Sequence, residues 1–436
     1  MKKKLVRAAF VAGLLSATAS MALIAAPVAA AEKAPSVSRG VGKPLSEAQK
    51  LAQQGDFQGA LAKVKEAQAV SDRTPFDDYT INEFLAFVSI SLKDFPTAMT
   101  AYEAMAASPA EPAEQKQGTR HNLVLLTYQA KDYAKTVKYG QELEAMGPIT
   151  DRIAAPLAQA YYFTNDYKHA QELAQKSVDA AVAAGKRPDR GMLSVLLSSQ
   201  AKQNDQAGAA KTLELLASNY GDPNDWGQLI DVALGTAGIQ NADGLDLYRL
   251  REAAGSMREG DDYTVMATLA LQLGYPAEAK AALQQGIDAG KLSLKGKVAD
   301  QMKTARQGVT ADEKTLPAFA RDAAKQASGE YSAKLAETYY GYGRYADAEA
   351  AARQAIAKGK MKDTTQASMV LGMAQFRQNK FADAEQTFNG ISGASAARMK
   401  AAHLWALYSK FKAQPAVAEA PAGQETAPAG DTTGQQ

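Results

Sequence analysis

Cysteine is absent from all 436 residues, histidine occurs only three times and tryptophan twice. Without cysteine there are no disulfides, no thiol catalysis, no thiolate-ligated zinc or iron–sulfur sites and no acyl anchor on a cysteine. A chain of this length can still be held together by its apolar core alone. His121, His169 and His403 lie far apart, with no H-x-x-x-H pair, so no histidine metal site is expected. No glycine-rich phosphate loop occurs, and no strand signal precedes any glycine cluster. Gly390-Ile391-Ser392-Gly393 follows a helical stretch, the wrong context for a nucleophile elbow. Asp222-Pro223-Asn224-Asp225 opens like a calcium loop. However, Trp226 takes the third ligand place and Ala233 the place of the bidentate glutamate, so the run predicts a helix cap. The 47 carboxylates are interspersed with lysines as on solvated helix faces, and none forms a distinctive catalytic pair. The sequence thus predicts no enzyme and no cofactor. Trp226, Arg249, Arg251 and Arg258 leave open a pocket between 225 and 330.

Long apolar runs are also lacking, except at the start. Lys2, Lys3, Lys4 and Arg7 precede an apolar stretch from Ala8 to Ala26, and small residues Val28-Ala29-Ala30-Ala31 follow. That order predicts a secretory signal over 1–31, cut after Ala30 or Ala31, and hence an exported, periplasmic chain. The alternative is an uncleaved anchor, but Gly13, Ser16, Thr18 and Ser20 interrupt the run. The segment carries four of the positive charges, so the formal charge of +2 becomes −2 without it. No basic face remains for a phosphate backbone, and no nucleic-acid partner is expected. Nor is a stable membrane anchor expected after cleavage.

What the sequence does have is a repeat. A polar residue or glycine, an aromatic, two variable residues and a small anchor recur, as in Asp56-Phe57-Gln58-Gly59-Ala60, Asp94 to Ala98, Asp132 to Thr136, and Asp166 to Ala170. Near the end come Arg344-Tyr345-Ala346-Asp347-Ala348 and Lys380-Phe381-Ala382-Asp383-Ala384. Looser copies end at Ala209 and Ala279. Successive anchors are 38, 38, 34, 39, 70, 69 and 36 residues apart. The two long gaps are double spacings, which predicts two degenerate units turning near Asn241-Ala242-Asp243-Gly244 and near Gly308. The total is about ten units of about 35 residues. Thirteen residues before the anchors stand Leu85, Leu123, Leu157, Leu196, Leu335 and Leu371, with Met266 in a looser copy. Ala86, Ala158, Ala336 and Gly372 follow four of them.

These residues resemble the tetratricopeptide repeat family, strongly at both ends of 44–395 and weakly from 225 to 330. Leu371, Gly372, Phe381, Ala384 and Phe388 make the best unit, followed by Leu335, Tyr339, Tyr345, Ala348 and Ala355. Thr136 departs from the small anchor, and prolines after second helices are sparse. The resemblance implies an all-α fold, a helix-turn-helix repeat solenoid forming a right-handed superhelix, with a scaffold role. The chain then divides into the signal (1–31), a polar lead (32–43), repeats (44–224), degenerate repeats (225–330) and repeats again (331–395). A capping helix (396–412) bearing Leu404, Trp405, Tyr408 and Phe411 follows. The Ala/Pro/Gly/Thr/Gln-rich tail (413–436) is too polar to order itself.

Eight residues before five anchors stand Ile90, Tyr128, Tyr162, Tyr340 and Phe376, with Phe87 and Phe163 on adjacent faces. The resemblance places this register late in the first helices, which line the concave surface. Phe87, Tyr128, Tyr162, Tyr340 and Phe376 are the candidate groove residues, with Tyr340 the most exposed by its flanks. The same rings could instead fill the seam between first helices. The function expected is a non-catalytic scaffold for a protein or peptide partner in the cell envelope. A glycan is the alternative ligand, through a peptidoglycan- or polysaccharide-associated accessory role.

Overall fold

The computed structural model describes residues 36–414. The expected signal, 1–31, and nearly all of the expected tail, 413–436, lie outside them. Among the described residues there are twenty α-helices and no strand. Nine helix-turn-helix pairs can be traced in chain order. They are α1 (Arg39–Gln53) with α2 (Phe57–Gln68), α3 (Pro75–Leu92) with α4 (Phe95–Ala107), and α5 (Lys116–Gln129) with α6 (Tyr133–Met146). Then come α7 (Asp151–Phe163) with α8 (Tyr167–Ala183), and α9 (Arg190–Lys202) with α10 (Gln206–Tyr220). Next are α11 (Pro223–Leu234) with α12 (Asn241–Ala253), and α13 (Gly260–Leu273) with α14 (Pro276–Asp288). After the single long helix α15 (Gly296–Lys325) follow α16 (Glu330–Gly341) with α17 (Tyr345–Lys358), α18 (Thr364–Arg377) with α19 (Phe381–Asn389), and α20 (Ala396–Ala413). The fold is an all-α helix-turn-helix repeat solenoid.

The recurring sequence pattern has a local physical reading. In eight of the nine pairs the turn residue just before the cap takes the left-handed conformation: Gly55, Lys93, Lys131, Asn165, Asn204, Gly274, Gly343 and Asn379. The next residue is the N-cap of the second helix. Asp56, Asp94, Asp132, Asp166 and Asp205 each accept a bond from a backbone amide three residues on, at 2.8 to 3.3 Å. The aromatic then opens the helix, and the anchor three residues later is buried against the first helix. Ala60, Ala98, Ala170, Ala279, Ala348 and Ala384 are fully buried. Thr136 is equally buried, and its hydroxyl donates to the Asp132 carbonyl (2.9 Å) and meets the Thr127 hydroxyl at 3.0 Å, so the departure from alanine is satisfied. A Cβ at Gly372 would lie 2.6 Å from the Phe388 ring, which explains the glycine in that unit.

The described residues fall into two compact units, one up to Leu126 and one from Thr127 onward, with the boundary inside α5. The first has its core in Val41, Leu45, Ala60, Val64, Ile81 and Val88. Here the expected polar lead ends early: α1 already begins at Arg39, because Val41 is drawn fully into that core.

The second unit corrects the expected turn near Gly308. One 30-residue helix runs through that position. The glycine instead lets α15 lie against α14, since a Cβ there would be 2.6 Å from the Pro276 ring. The first doubled spacing does hold a helix pair, α11 and α12, but its turn precedes Asn241, which starts α12. Asp222 caps α11 through the Asn224 amide at 2.8 Å. Helix α20 covers α19 and also packs on α10, α11 and α12, so it closes the second unit back on itself. Trp226 and Trp405, both fully buried, share one core with Phe376, Phe388 and Tyr408.

Candidate binding surface

The closure decides what the aromatic register does in the C-terminal repeats. Helix α12 is buried around most of its circumference and carries four buried ionisable side chains, Asp243, Asp246, Arg249 and Arg251. Arg249 is fully buried and bonds both oxygens of Glu278 at 2.7 Å, Asp246 at 2.8 Å and Glu337 at 3.1 Å. Its guanidinium also lies 4.7 Å from the centre of the Tyr340 ring. Arg398 of α20 pairs with Asp243, and Arg377 of α18 with Glu252. The inner side of α16 and α18 is thus occupied by the chain's own α12 and α20.

Tyr340 is therefore only 4% exposed, correcting the expectation that it is the most open of the set. Its flanks misled because what covers it comes from α12, far away in sequence. Burial pushes its phenol up to about 12, and Arg377 donates to its hydroxyl at 3.3 Å. Phe376 is 7% exposed, with its ring 5.3 Å from both Trp405 and Tyr408. Both residues pack in the interior.

The arginines of the 225–330 segment are likewise engaged. Arg251 pairs with Asp231 and, at 2.9 Å, with Asp262, while Arg258 meets Asp231 at 2.9 Å. Trp226 packs edge-on to Tyr408 at 4.8 Å. Among the described residues no group of three or more His, Asp or Glu side chains is arranged to hold a metal ion. His169 and His403 sit beside Asp166 and Glu214 on different helices. Nor is any described helix long and apolar enough to cross a membrane.

At the other end of the second unit the register stays open. Tyr128 and Tyr162 are half-buried, and Phe163 is 40% exposed. They join a continuous set of rings. Tyr128 lies 6.1 Å from Tyr133, Tyr133 stacks on Phe163 at 4.5 Å, Phe163 meets Tyr162 at 5.8 Å, and Tyr162 meets Tyr167 at 5.4 Å. Polar groups fix the edges. Tyr128 donates to Gln159, Tyr167 donates to Asn165 at 2.7 Å, and Gln203 donates to the Tyr167 carbonyl at 3.1 Å. Tyr133 and Tyr167 were legible as repeat aromatics but not as surface. Each opens a second helix, and only stacking across the turn and onto the neighbouring pair brings them beside the first-helix rings. Phe87 belongs to the first unit, where it is half-buried and meets Phe57 edge-on at 6.2 Å.

Residues 333–398 match the tetratricopeptide repeat family. That span covers most of α16 through α19, the pairs whose sequence pattern is sharpest. Similar solved structures include a tetratricopeptide repeat protein from Parabacteroides merdae, at 11% identity and TM-score 0.32, covering 62% of this chain and all of that one. The Naa15/Naa10 complex bound to HypK-THB is similar at 15% identity and TM-score 0.31, covering 84% of this chain and 67% of that chain. The pentatricopeptide repeat protein PPR10 from maize is similar at 13% identity and TM-score 0.31, covering 84% of this chain and 62% of that one. No curated protein matches the sequence.

Proposed function

We infer that the protein is a non-catalytic, exported scaffold that binds an extended segment of another cell-envelope protein on the aromatic face of α5 to α8. The observation that carries this reading is the run of five touching rings from Tyr128 to Tyr167, partly open to solvent and edged by glutamine and asparagine amides. Rigid aromatic rings give large contact area at small entropic cost, and phenol hydroxyls supply directional bonds to a peptide backbone. Repeat proteins of this type offer a preformed surface, so the partner is ordered on binding while the scaffold is not. Export rests on the basic, apolar and small-residue order of residues 2–31.

Two measurements test the reading. Cell fractionation should find the processed chain in the periplasm. A photo-crosslinking residue placed at Phe163 in intact cells should capture one envelope protein, whereas the same residue at buried Tyr340 should capture none. Recovery of peptidoglycan fragments from position 163 would assign the rings to a glycan instead.

A further inference from the structure

We propose that the outer face of α15 is a docking surface for an anionic phospholipid bilayer, which holds the scaffold against a membrane. This face lies on a different helix from the aromatic rings, and it adds a place of attachment to what the rings bind.

Helix α15 breaks the repeat pattern, running for 30 residues where a helix pair is expected. One side of it is packed: Met302, Ala305 and Ala323 are buried, and Leu316 and Phe319 lie against the core. The opposite side carries Lys303, Arg306, Lys314, Arg321 and Lys325, all exposed. At about 3.6 residues per turn these five fall within about 100° of arc and extend over about 33 Å. A turn at Gly308 would have split the row, and the unbroken helix joins it. Among the described residues none of the five side chains pairs with a carboxylate or donates a hydrogen bond. The acidic residues of the same helix stand aside. Asp312 accepts from the Tyr342 hydroxyl at 3.3 Å on the packed side. Asp300, Glu313 and Asp322 lie about 60° to 100° round the helix from the middle of the row.

The fold itself does not call for this row. Lys303 with Arg306, and Arg321 with Lys325, are like-charge pairs one turn apart, which weaken a helix, and they face away from the core. What the row fits is a flat negative surface. The exposed residues directly between the cations, Thr310 and Pro317, are shorter than lysine or arginine, so all five charged groups can meet one plane together. At the start of the helix the connecting loop adds Lys291 and Lys295 on either side of Leu294, which is 48% exposed and offers the bilayer interface an apolar group. Lipid phosphates move laterally and fill a straight row of cations at any spacing, whereas an acidic protein segment would have to match its charges over the same length. The apolar side of α15 is taken up by the repeats, so the contact is electrostatic and reversible. Each lysine or arginine near an anionic leaflet strengthens such binding about fivefold.

Cosedimentation of the full chain with lipid vesicles tests the proposal. The parent should bind vesicles of phosphatidylglycerol mixed with phosphatidylcholine more tightly than vesicles of phosphatidylcholine alone. Arg306→Glu with Lys314→Glu should lower binding to the anionic vesicles at least about tenfold. Lys168→Glu with Lys176→Glu on α8 makes the same change in net charge at exposed lysines away from the row, and should alter binding less than about twofold. Parent and variants share one N-terminus, so a difference between them reports the substituted face. Arg306→Gln with Lys314→Gln keeps good helix formers and should give a smaller loss in the same direction, which reads the row even where the reversal disturbs folding. Equal binding to both kinds of vesicle, a loss shared by the α8 control, or no loss with either α15 pair overturns the proposal. A photo-crosslinker at Thr310 that captures an acidic protein in place of lipid also overturns it. Capture of a partner at position 163 by a chain that ignores anionic vesicles leaves the scaffold reading intact, while vesicle binding without any captured partner removes the scaffold reading alone.

Discussion

The indole Nε1 of Trp405 donates a 2.9 Å hydrogen bond to the carbonyl of Asp246, 159 positions earlier in the chain. Three residues further along α20, the Tyr408 hydroxyl donates to the Ala253 carbonyl at 2.8 Å. These bonds join the last helix to α12, and they make the C-terminal repeats a closed module whose inner surface is filled by its own side chains.

Trp405→Ala should accordingly cost about 3–5 kcal/mol, the usual penalty for emptying a buried aromatic site. Chemical denaturation of the purified variant measures it. A loss below about 1 kcal/mol would mean that α20 is a loosely held cap.

Arg249→Ala should be as damaging, at about 3–5 kcal/mol, because Glu278, Asp246 and Glu337 would be left as buried charges without their cation. By contrast Arg353, a largely exposed arginine pairing with Glu349 one turn away, should cost under about 1 kcal/mol when replaced by alanine. Thermal melts of the two variants side by side give the comparison.

The buried network also predicts a pH dependence. Burial pushes Asp246 up to about 7 from 3.8, only partly offset by Arg249 and Arg398, and one of its carboxylate oxygens has no hydrogen-bond partner. The folded state then holds this proton more tightly than the unfolded chain does. Its contribution to stability is full below the unfolded value, declines as pH rises from about 4 to about 7, and is flat above. Asp246→Asn should remove this decline, so variant and parent should differ more at pH 7.5 than at pH 4 in denaturation midpoints. Equal differences at both values would place the charge elsewhere.

At the turns, Lys131 holds a positive φ of 59°. Glycine adopts that backbone without a Cβ clash, so Lys131→Gly should raise stability by about 0.5–1 kcal/mol, while Asn165→Gly, at a residue tolerant of this conformation, should change little. Differential calorimetry on both resolves it.

What was legible in the sequence is what neighbouring residues determine. The Asp cap, the following aromatic and the buried anchor act within one turn, so their spacing located eight of the helix pairs, and the first doubled gap located the ninth at α11 and α12. Gly308 was misread because a glycine that ends a helix and one that admits a neighbouring proline look alike in sequence. Tyr128, Tyr162, Tyr340 and Phe376 share one register, yet two are half-buried and two are buried. Tyr340 is covered by Arg249 of α12, far from it in sequence, a contact that periodicity between adjacent repeats does not encode, whereas Phe376 is covered by Trp405 and Tyr408 of the capping helix α20. The involvement of Tyr133 and Tyr167 was hidden for the same reason, since ring stacking across a turn depends on helix geometry.

The central claim is that the rings from Tyr128 to Tyr167 form the binding surface. Its most direct test places the photo-crosslinker at Gln129, beside the rings, and compares the parent chain with Tyr162→Ala plus Phe163→Ala. The account predicts that capture of the envelope partner falls at least about tenfold, the equivalent of about 1.4 kcal/mol, while the closed C-terminal module keeps its melting temperature. Unchanged capture by a variant lacking both rings would contradict it.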